Sequence, residues 1–446
     1  MDVLWGLAGM AVLLGLAFAL STNRKAIRLR TVGAALALQL LFGVIVLYWS
    51  AGQRGLEYAA NGVQAIINSS NAGIGFLFGP VIPEEGLIFA FQVLPVIIFF
   101  ASLTAVLYHW GFLQKFVAIL GGAIQKVLGT GKAESVNAAA NIFVGQTEAP
   151  LIIKPYIKGL TRSALFAVMV GGLSTVAGSV LVGYSLLGAP LEYLIAASFM
   201  AAPGALLMAK MIVPEDDPDA AEAESSVVSD GARRKEEAKT ARSQATVRER
   251  VVQRLVPDTK IDDDEDKDEA GGESEYRNVI DAAAGGAGEG LKLALNIGAM
   301  LLAFISLIAL VNLILGVVGG WFGIDALTFE QILGYVFAPL MFVIGVPWNE
   351  AVQAGGFVGQ KIVVNEFVAF ADFGPIADTF STKTSAIITF ALTGFANLGS
   401  LGILLGGLGG IAPERRSDIA ELGLRAIAAA TLANLMSAAI AGILIN

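Results

Sequence analysis

Polar residues along this 446-residue chain are gathered into a few places between long apolar blocks. The blocks lack the short amphipathic stripe of a soluble bundle, and their length predicts membrane-spanning helices. Residues 1–20 form the first block and are followed by Arg24, Lys25, Arg28 and Arg30. A secretion signal carries its positive charge ahead of the apolar run, so this block reads as a spanning helix with its N-terminus outside and the next loop cytoplasmic. Further spans are predicted over 31–50, 87–108, 163–186, 191–213, 288–318, 385–411 and 419–445. With eight spans, Lys115, Lys126, Lys132, Lys154, Lys158, Arg162, Arg415 and Arg416 fall on the inner side, and both termini are outside.

Other stretches do not fit a simple span. Residues 55–80, with Asn61, Gln64, Asn68, Ser69, Ser70 and Asn71 among apolar positions, read as an interfacial helix. The apolar stretch 327–346 reads as a helix along or partly in the membrane. Gly145-Gln146-Thr147-Glu148-Ala149-Pro150 is a polar cluster between Asn141-Ile142-Phe143-Val144 and Leu151-Ile152-Ile153. A carboxylate in the bilayer costs about 2.5 to 3.5 kcal/mol on insertion scales, so Glu148 with Gln146 and Thr147 points to ligand binding. Each flank is too short to cross about 30 Å of hydrocarbon, and Gly145 and Pro150 favour a turn. That predicts a re-entrant hairpin with a polar tip. A second is predicted over 348–373, with Asn349, Glu350, Gln353, Gln360, Lys361, Asn365, Glu366 and Asp372.

Composition agrees: 55% of residues are hydrophobic, 15% charged, and the mean hydropathy is +0.70. The expected fold class is an all-α polytopic membrane protein: eight transmembrane helices and two re-entrant hairpins in inverted repeats, with interfacial helices. The 52 glycines suit closely packed or broken membrane helices. Without cysteine there are no disulfides or thiolate sites, and His109 alone builds no histidine metal cluster or proton relay. Beside Trp110, it reads as an interfacial residue. The net charge of -9 comes largely from residues 214–276, a charged cytoplasmic linker with a possible short helix over 246–255, and marks no nucleic-acid site. For an intramembrane enzyme only a Ser-Lys or paired-Asp site remains, and the deep acidic residues sit in separate hairpins among amides, so no enzyme is expected. The expected organisation is scaffold helices over 1–110, a first transport repeat over 111–213, the linker over 214–286, a scaffold helix over 287–320 and a second transport repeat over 321–446.

The hairpins and the spans after them echo each other. Phe143-Val144-Gly145-Gln146 recurs as Phe357-Val358-Gly359-Gln360, each followed by an acidic residue. The next spans share an interrupted middle, Gly172-Leu173-Ser174-Thr175-Val176-Ala177-Gly178-Ser179 and Gly394-Phe395-Ala396-Asn397-Leu398-Gly399-Ser400. The first unit starts from the cytoplasm and the second from outside, the inverted layout of secondary transporters, which bind substrate and ion near mid-membrane.

These motifs, with Asn365-Glu366-Phe367-Val368-Ala369-Phe370 and Asn278-Val279-Ile280-Asp281-Ala282-Ala283-Ala284, resemble those of the concentrative nucleoside transporters, bacterial members in particular. The resemblance implies a homotrimer in the lipid of the bacterial cytoplasmic membrane, importing nucleosides with sodium or protons by alternating access. It implies that Gln146, Thr147, Glu148 and Val180 contact the nucleobase and that Glu366, Asn397 and Ser400 hold the ribose, with Phe395 packing on the substrate. For sodium it implies Asn141, the Val144 carbonyl, Thr175 and the Val176 carbonyl; Thr175 stands where typical sodium users of the family have Ser. Plainer roles compete: Glu366 as partner of Lys361, Asn397 and Ser400 as helix–helix contacts, and Thr175 bonded only to its own helix. A channel and a symporter of another small polar solute are the rival functions.

Overall fold

The computed structural model describes residues 2–83, 88–216, 276–324 and 327–445. Most of the charged linker, from 217 to 275 and including the helix expected over 246–255, lies outside the described residues. The N-terminal region contains α1 (Asp2–Ala19), α2 (Leu29–Gly43, continued as a π-helical turn over Val44–Tyr48), α3 (Ser50–Ser69) and α4 (Asn71–Phe78). α3 and α4 occupy the stretch expected in the interface. α5 (Leu94–His109) follows a π-helical turn. α6 (Phe112–Leu128) is bounded by Gly111 and Gly129, both at positive φ near 70°, a backbone that glycine adopts at no steric cost. α6 buries Leu113, Val117, Gly121, Ile124 and Leu128, an amphipathic helix where the sequence had shown only scattered lysines.

The segment expected as the first hairpin consists of α7 (Lys132–Ala140), an irregular stretch over 141–148, and the short α8 (Ala149–Ile152) and α9 (Lys154–Ile157). The next span is broken, as expected: α10 (Arg162–Ser174) and α11 (Gly178–Leu186) flank an interruption at 175–177. α12 (Leu191–Ile212) closes this unit. α13 (Val279–Trp321) begins well before the span expected from 288. The second unit repeats the order with α14 (Phe329–Val343), α15 (Trp348–Val363), a return arm α16 (Glu366–Phe373), the broken pair α17 (Thr382–Leu392) and α18 (Leu398–Ile411), and α19 (Arg416–Leu444). α14 turns into α15 through 118°. The two helices touch closely because glycines face each other: a Cβ on Gly355 would stand 2.7 Å from the Gly334 carbonyl, and one on Gly359 2.5 Å from Leu333.

Among the described residues, six helical stretches are long and apolar enough to cross a membrane. The bent pair α14/α15 makes a seventh if it is one span, and α1 and α18 are shorter apolar helices. The Phe143–Gln146 match is corrected by the fold. Those residues lie in the first hairpin's tip, whereas Phe357–Gln360 lie inside α15. The tip residues of the second hairpin are Val364 and Asn365, so the units correspond by element order and not by that tetrapeptide.

Packing also divides residues 1–110, which the sequence grouped as one scaffold. α1 and α2 pack on α12 and α19, whereas α5 packs along α13. The α5–α13 seam is built from small residues: a Cβ on Gly286 would meet the Ala101 carbonyl at 2.8 Å, and one on Gly290 the Ile98 Cα at 2.8 Å. Backbones approach closely enough for Ser102 Oγ to donate to the Ala283 carbonyl at 2.8 Å. The broken span 162–186 and α12 are each 89% buried over their most apolar stretch, α13 only 6%. The broken span and the continuous helices α12 and α19, the last 78% buried, therefore make the centre of the molecule, and α13 lies at its rim.

An ion pair pins the base of the first hairpin to α12. Glu134 accepts the Gly131 N–H at 2.7 Å and lies 2.7 Å from Lys210 Nζ. Lys210 also donates to Ser163 Oγ at 3.0 Å. Glu134 and Lys210 are 3% and 8% exposed, and Glu215, 4.0 Å from Lys210 Nζ, adds a second carboxylate to this largely desolvated cluster.

Candidate functional site

The second hairpin delivers Glu366 at the first position of α16. Asn365 caps that helix, its Oδ1 accepting the Val368 N–H at 2.9 Å. Asn397 plays the same part for α18, accepting the Ser400 N–H at 2.8 Å. Both motifs that stood out in the sequence are thus built around capping asparagines, residues whose short amide suits this position. The Asn397 side chain also donates through Nδ2 to Glu366 Oε2 at 2.8 Å, and Tyr184 of α11 donates to Oε1 at 3.0 Å. Charge-assisted hydrogen bonds contribute about 1.5 to 3 kcal/mol each, and a helix N-terminus adds roughly 0.3 to 1. Together these offset the burial of a carboxylate only 4% exposed.

Lys361, the nearest cation in sequence, does not pair directly with Glu366. Its Nζ donates to the Ala391 carbonyl at 2.7 Å and to Asn434 Oδ1 at 2.8 Å. Asn434 Nδ2 in turn donates to the Ser174 carbonyl at 2.7 Å. Gly394, at φ +144°, fits against this junction: a Cβ there would stand 2.6 Å from Asn434 Oδ1 and 2.7 Å from the Ser174 carbonyl.

The tip of the first hairpin touches both broken helices. The Phe143 carbonyl accepts the Gly178 N–H at the start of α11, across 3.1 Å. Gln146 lies against Gly172 of α10, where an added Cβ would be 2.9 Å from the Gln146 Cβ. Thr147 lies against Gly407 of α18, 2.8 Å from the corresponding position. Glu148 is exposed and its carboxylate curls back over Gly145, while Val180 and Ser400 are buried and Phe395 is partly buried. The two hairpins therefore share α11 and α18 as neighbours, which brings the groups expected on the base and those expected on the ribose to the same pair of helices.

The four residues expected around sodium sit at the junction of the first hairpin with the α10/α11 break. Asn141, Val144, Thr175 and Val176 are all buried. Asn141 Nδ2 donates to the Asn137 carbonyl at 3.0 Å, and its Oδ1 is buried with no hydrogen-bond donor. A buried amide oxygen without a donor is the state that a hard cation would relieve. The Thr175 hydroxyl donates to the Gly171 carbonyl at 2.8 Å, the local bond weighed above, and this leaves its lone pairs available. A cavity of about 410 Å³ lined by Thr22, Thr161, Ser163, Val213 and Glu215 lies instead at the ends of α10 and α12, away from these groups.

Comparison with known proteins follows this architecture. Residues 8–81 match the family model for the Na+ dependent nucleoside transporter N-terminus, residues 193–442 that for its C-terminus, and residues 90–191 one described as nucleoside recognition. The chain belongs to the Na+-dependent nucleoside transporter family. The nucleoside permease NupC of Helicobacter pylori is 43% identical, over 99% of this chain and 98% of its own. The rat sodium/nucleoside cotransporter 1 is 34% identical over 98% of this chain and 63% of its own length. CNTnw in an inward-facing substrate-bound state superposes with a TM-score of 0.85 at 48% identity, covering 100% of this chain and 98% of that one; a CNTnw variant in an outward-facing state matches equally well in TM-score.

In this nucleoside transporter the residues that sequence reasoning missed are Tyr184 and Asn434. Each is a polar residue in an otherwise apolar helix, and that was the available signal. Lys361 was noticed, but its partners come from α17 and α19, which no local pattern reveals.

Proposed function

We propose that the chain imports nucleosides across the bacterial cytoplasmic membrane, driven by the sodium gradient, through one site between the hairpin tips and the broken helices. The observation that carries this reading is Glu366, a buried carboxylate held by Tyr184 and Asn397 at the meeting point of a hairpin and both broken helices. A vicinal diol donates two hydrogen bonds, and a carboxylate is the side chain best made to accept both. Gln146, Thr147 and Glu148, with Val180, then meet the base, and Ser400 and Phe395 complete the sugar side. On binding, the ribose hydroxyls compete for Glu366 with Tyr184 and Asn397, and the amide is freed to bond the sugar.

Sodium is held by Asn141 Oδ1, Thr175 Oγ1 and the Val144 and Val176 carbonyls. The ion thereby ties the first hairpin to the α10/α11 break, so that substrate contacts made through Gln146 and Thr147 are preorganised only when sodium is bound. This is a differential affinity of the kind that couples ion and substrate. The hairpins and broken helices move as the transport element, with α5 and α13 as its fixed support, and the inverted order of the two units gives the inward- and outward-open forms. The apolar outer face of α13, with Leu302 and Leu313 exposed, is covered by lipid and by neighbouring copies in a trimer. Both termini face outward.

Uptake of labelled uridine into proteoliposomes under separately imposed sodium and proton gradients tests the coupling. Uptake driven by sodium supports it, and a response to the proton gradient alone sinks it. Competition by unlabelled nucleosides, and none by free sugars or other small polar solutes, tests the substrate class.

A further inference from the structure

We infer that Lys361 is a built-in cation, standing in the second unit where the first is made to receive sodium, and that it holds coupling to one sodium ion per nucleoside. This rests on the sodium reading of Asn141 and Thr175 above.

The two units end their first half-helices in the same way. α10 stops at Thr175, whose hydroxyl donates to the carbonyl four residues back, Gly171, at 2.8 Å. α17 stops at Thr393, whose hydroxyl donates to Thr389, again four back, at 2.7 Å. Each break leaves the last carbonyls of its half-helix without an intrahelical partner, at the negative end of a helix. Against each break stands the last turn of a hairpin arm, α7 in one unit and α15 in the other.

What differs is how the oxygens are satisfied. In the first unit Asn141, just past α7, presents a buried Oδ1 with no donor. In the second, Lys361 in the last turn of α15 reaches the Ala391 carbonyl and Asn434 Oδ1 with its Nζ, at 2.7 and 2.8 Å. Lys361 is 1% exposed. A buried ammonium is costly unless its protons find acceptors, and the carbonyl, the amide oxygen and the end of α17 supply them. Asn434 then carries the connection to the Ser174 carbonyl in the first break, at 2.7 Å. One unit thus offers oxygens lacking a cation, and the other has a covalently attached cation on its oxygens. A second sodium ion is excluded by like charge and by occupied ligands.

The test uses the whole chain in proteoliposomes. For the unaltered protein under a set membrane potential, one charge moved per uridine and first-order activation by sodium are expected; two charges, or second-order activation, overturn the inference. In Lys361→Gln an amide oxygen replaces the cation. Activation should become steeper than first order, and the charge moved per uridine should rise from one towards two. Lys361→Arg should stay first order. A Gln variant that is slower but still first order marks a merely structural lysine and overturns the proposal. If that variant does not fold, the charge count on the unaltered protein still decides. Uptake indifferent to sodium would instead remove the sodium site itself, a separate failure from a count of two.

Discussion

The hydroxyl of Tyr184, on the second half of one broken helix, donates across 3.0 Å to Glu366 on the return arm of the opposite unit's hairpin. Tyr184 is fully buried and packs on Phe367 and Phe370, with ring centroids 4.7 and 4.5 Å away. Its position is set by packing, so the hydroxyl aims the carboxylate rather than following it. The bond links the two units at the group assigned to the ribose.

Removal of the charge tests that assignment. Glu366→Gln replaces two charge-assisted bonds by weaker ones, and initial uridine uptake should fall about a hundredfold while folded protein, checked by size-exclusion chromatography, is retained. Tyr184→Phe keeps the packing and loses one bond, so uptake should fall about three- to tenfold, mostly as a raised KM. Normal uptake by Glu366→Gln would remove this residue from the site.

The sodium assignment predicts effects on the ion without direct contact to the substrate. Asn141→Ala and Thr175→Ala should each raise half-saturating sodium about tenfold or more, whereas Thr175→Ser, which keeps the oxygen, should stay close to the unaltered value. Unchanged sodium activation in both alanine variants would place the ion elsewhere.

Gly394→Ala forces a side chain into φ +144° and against Asn434 and the Ser174 carbonyl. A loss of about 2 to 4 kcal/mol is expected, read as a lower thermal midpoint in detergent. A midpoint within error of the unaltered protein would mean that the break tolerates a different geometry.

The buried Glu134–Lys210 pair gives a contrasting case. Glu134→Ala leaves Lys210 only the more distant Glu215 carboxylate, 4.0 Å away, and should cost about 1 to 3 kcal/mol, whereas joint replacement by Gln and Met should cost less than the sum of the single changes. Thermal unfolding of the three variants measures this, and simple additivity would show that the pair is not coupled.

Much of the architecture was legible because membrane burial writes itself as long apolar blocks, and interrupted spans as glycine and asparagine within them. Asn365, Glu366 and Asn397 were visible for the same reason: polar groups in apolar surroundings are few. The four-residue likeness between Phe143–Gln146 and Phe357–Gln360 misled, since one copy bends at a hairpin tip and the other continues as helix under the packing of α14. α6 was overlooked because its apolar stripe is diluted by Gln114, Lys115, Gln125 and Lys126. The junction of Lys361, Asn434 and Ser174 brings together residues up to 260 positions apart, and only the fold brings them together.

α13 runs for 43 residues. At about 1.5 Å per residue it is roughly 65 Å long, about twice the thickness of the hydrocarbon layer. Such a rod either leans steeply or stands proud of the bilayer. Because its opening turns are clasped to α5 through Gly286 and Gly290, any lean is imposed on α5 as well, and the two behave as one double-thickness strut.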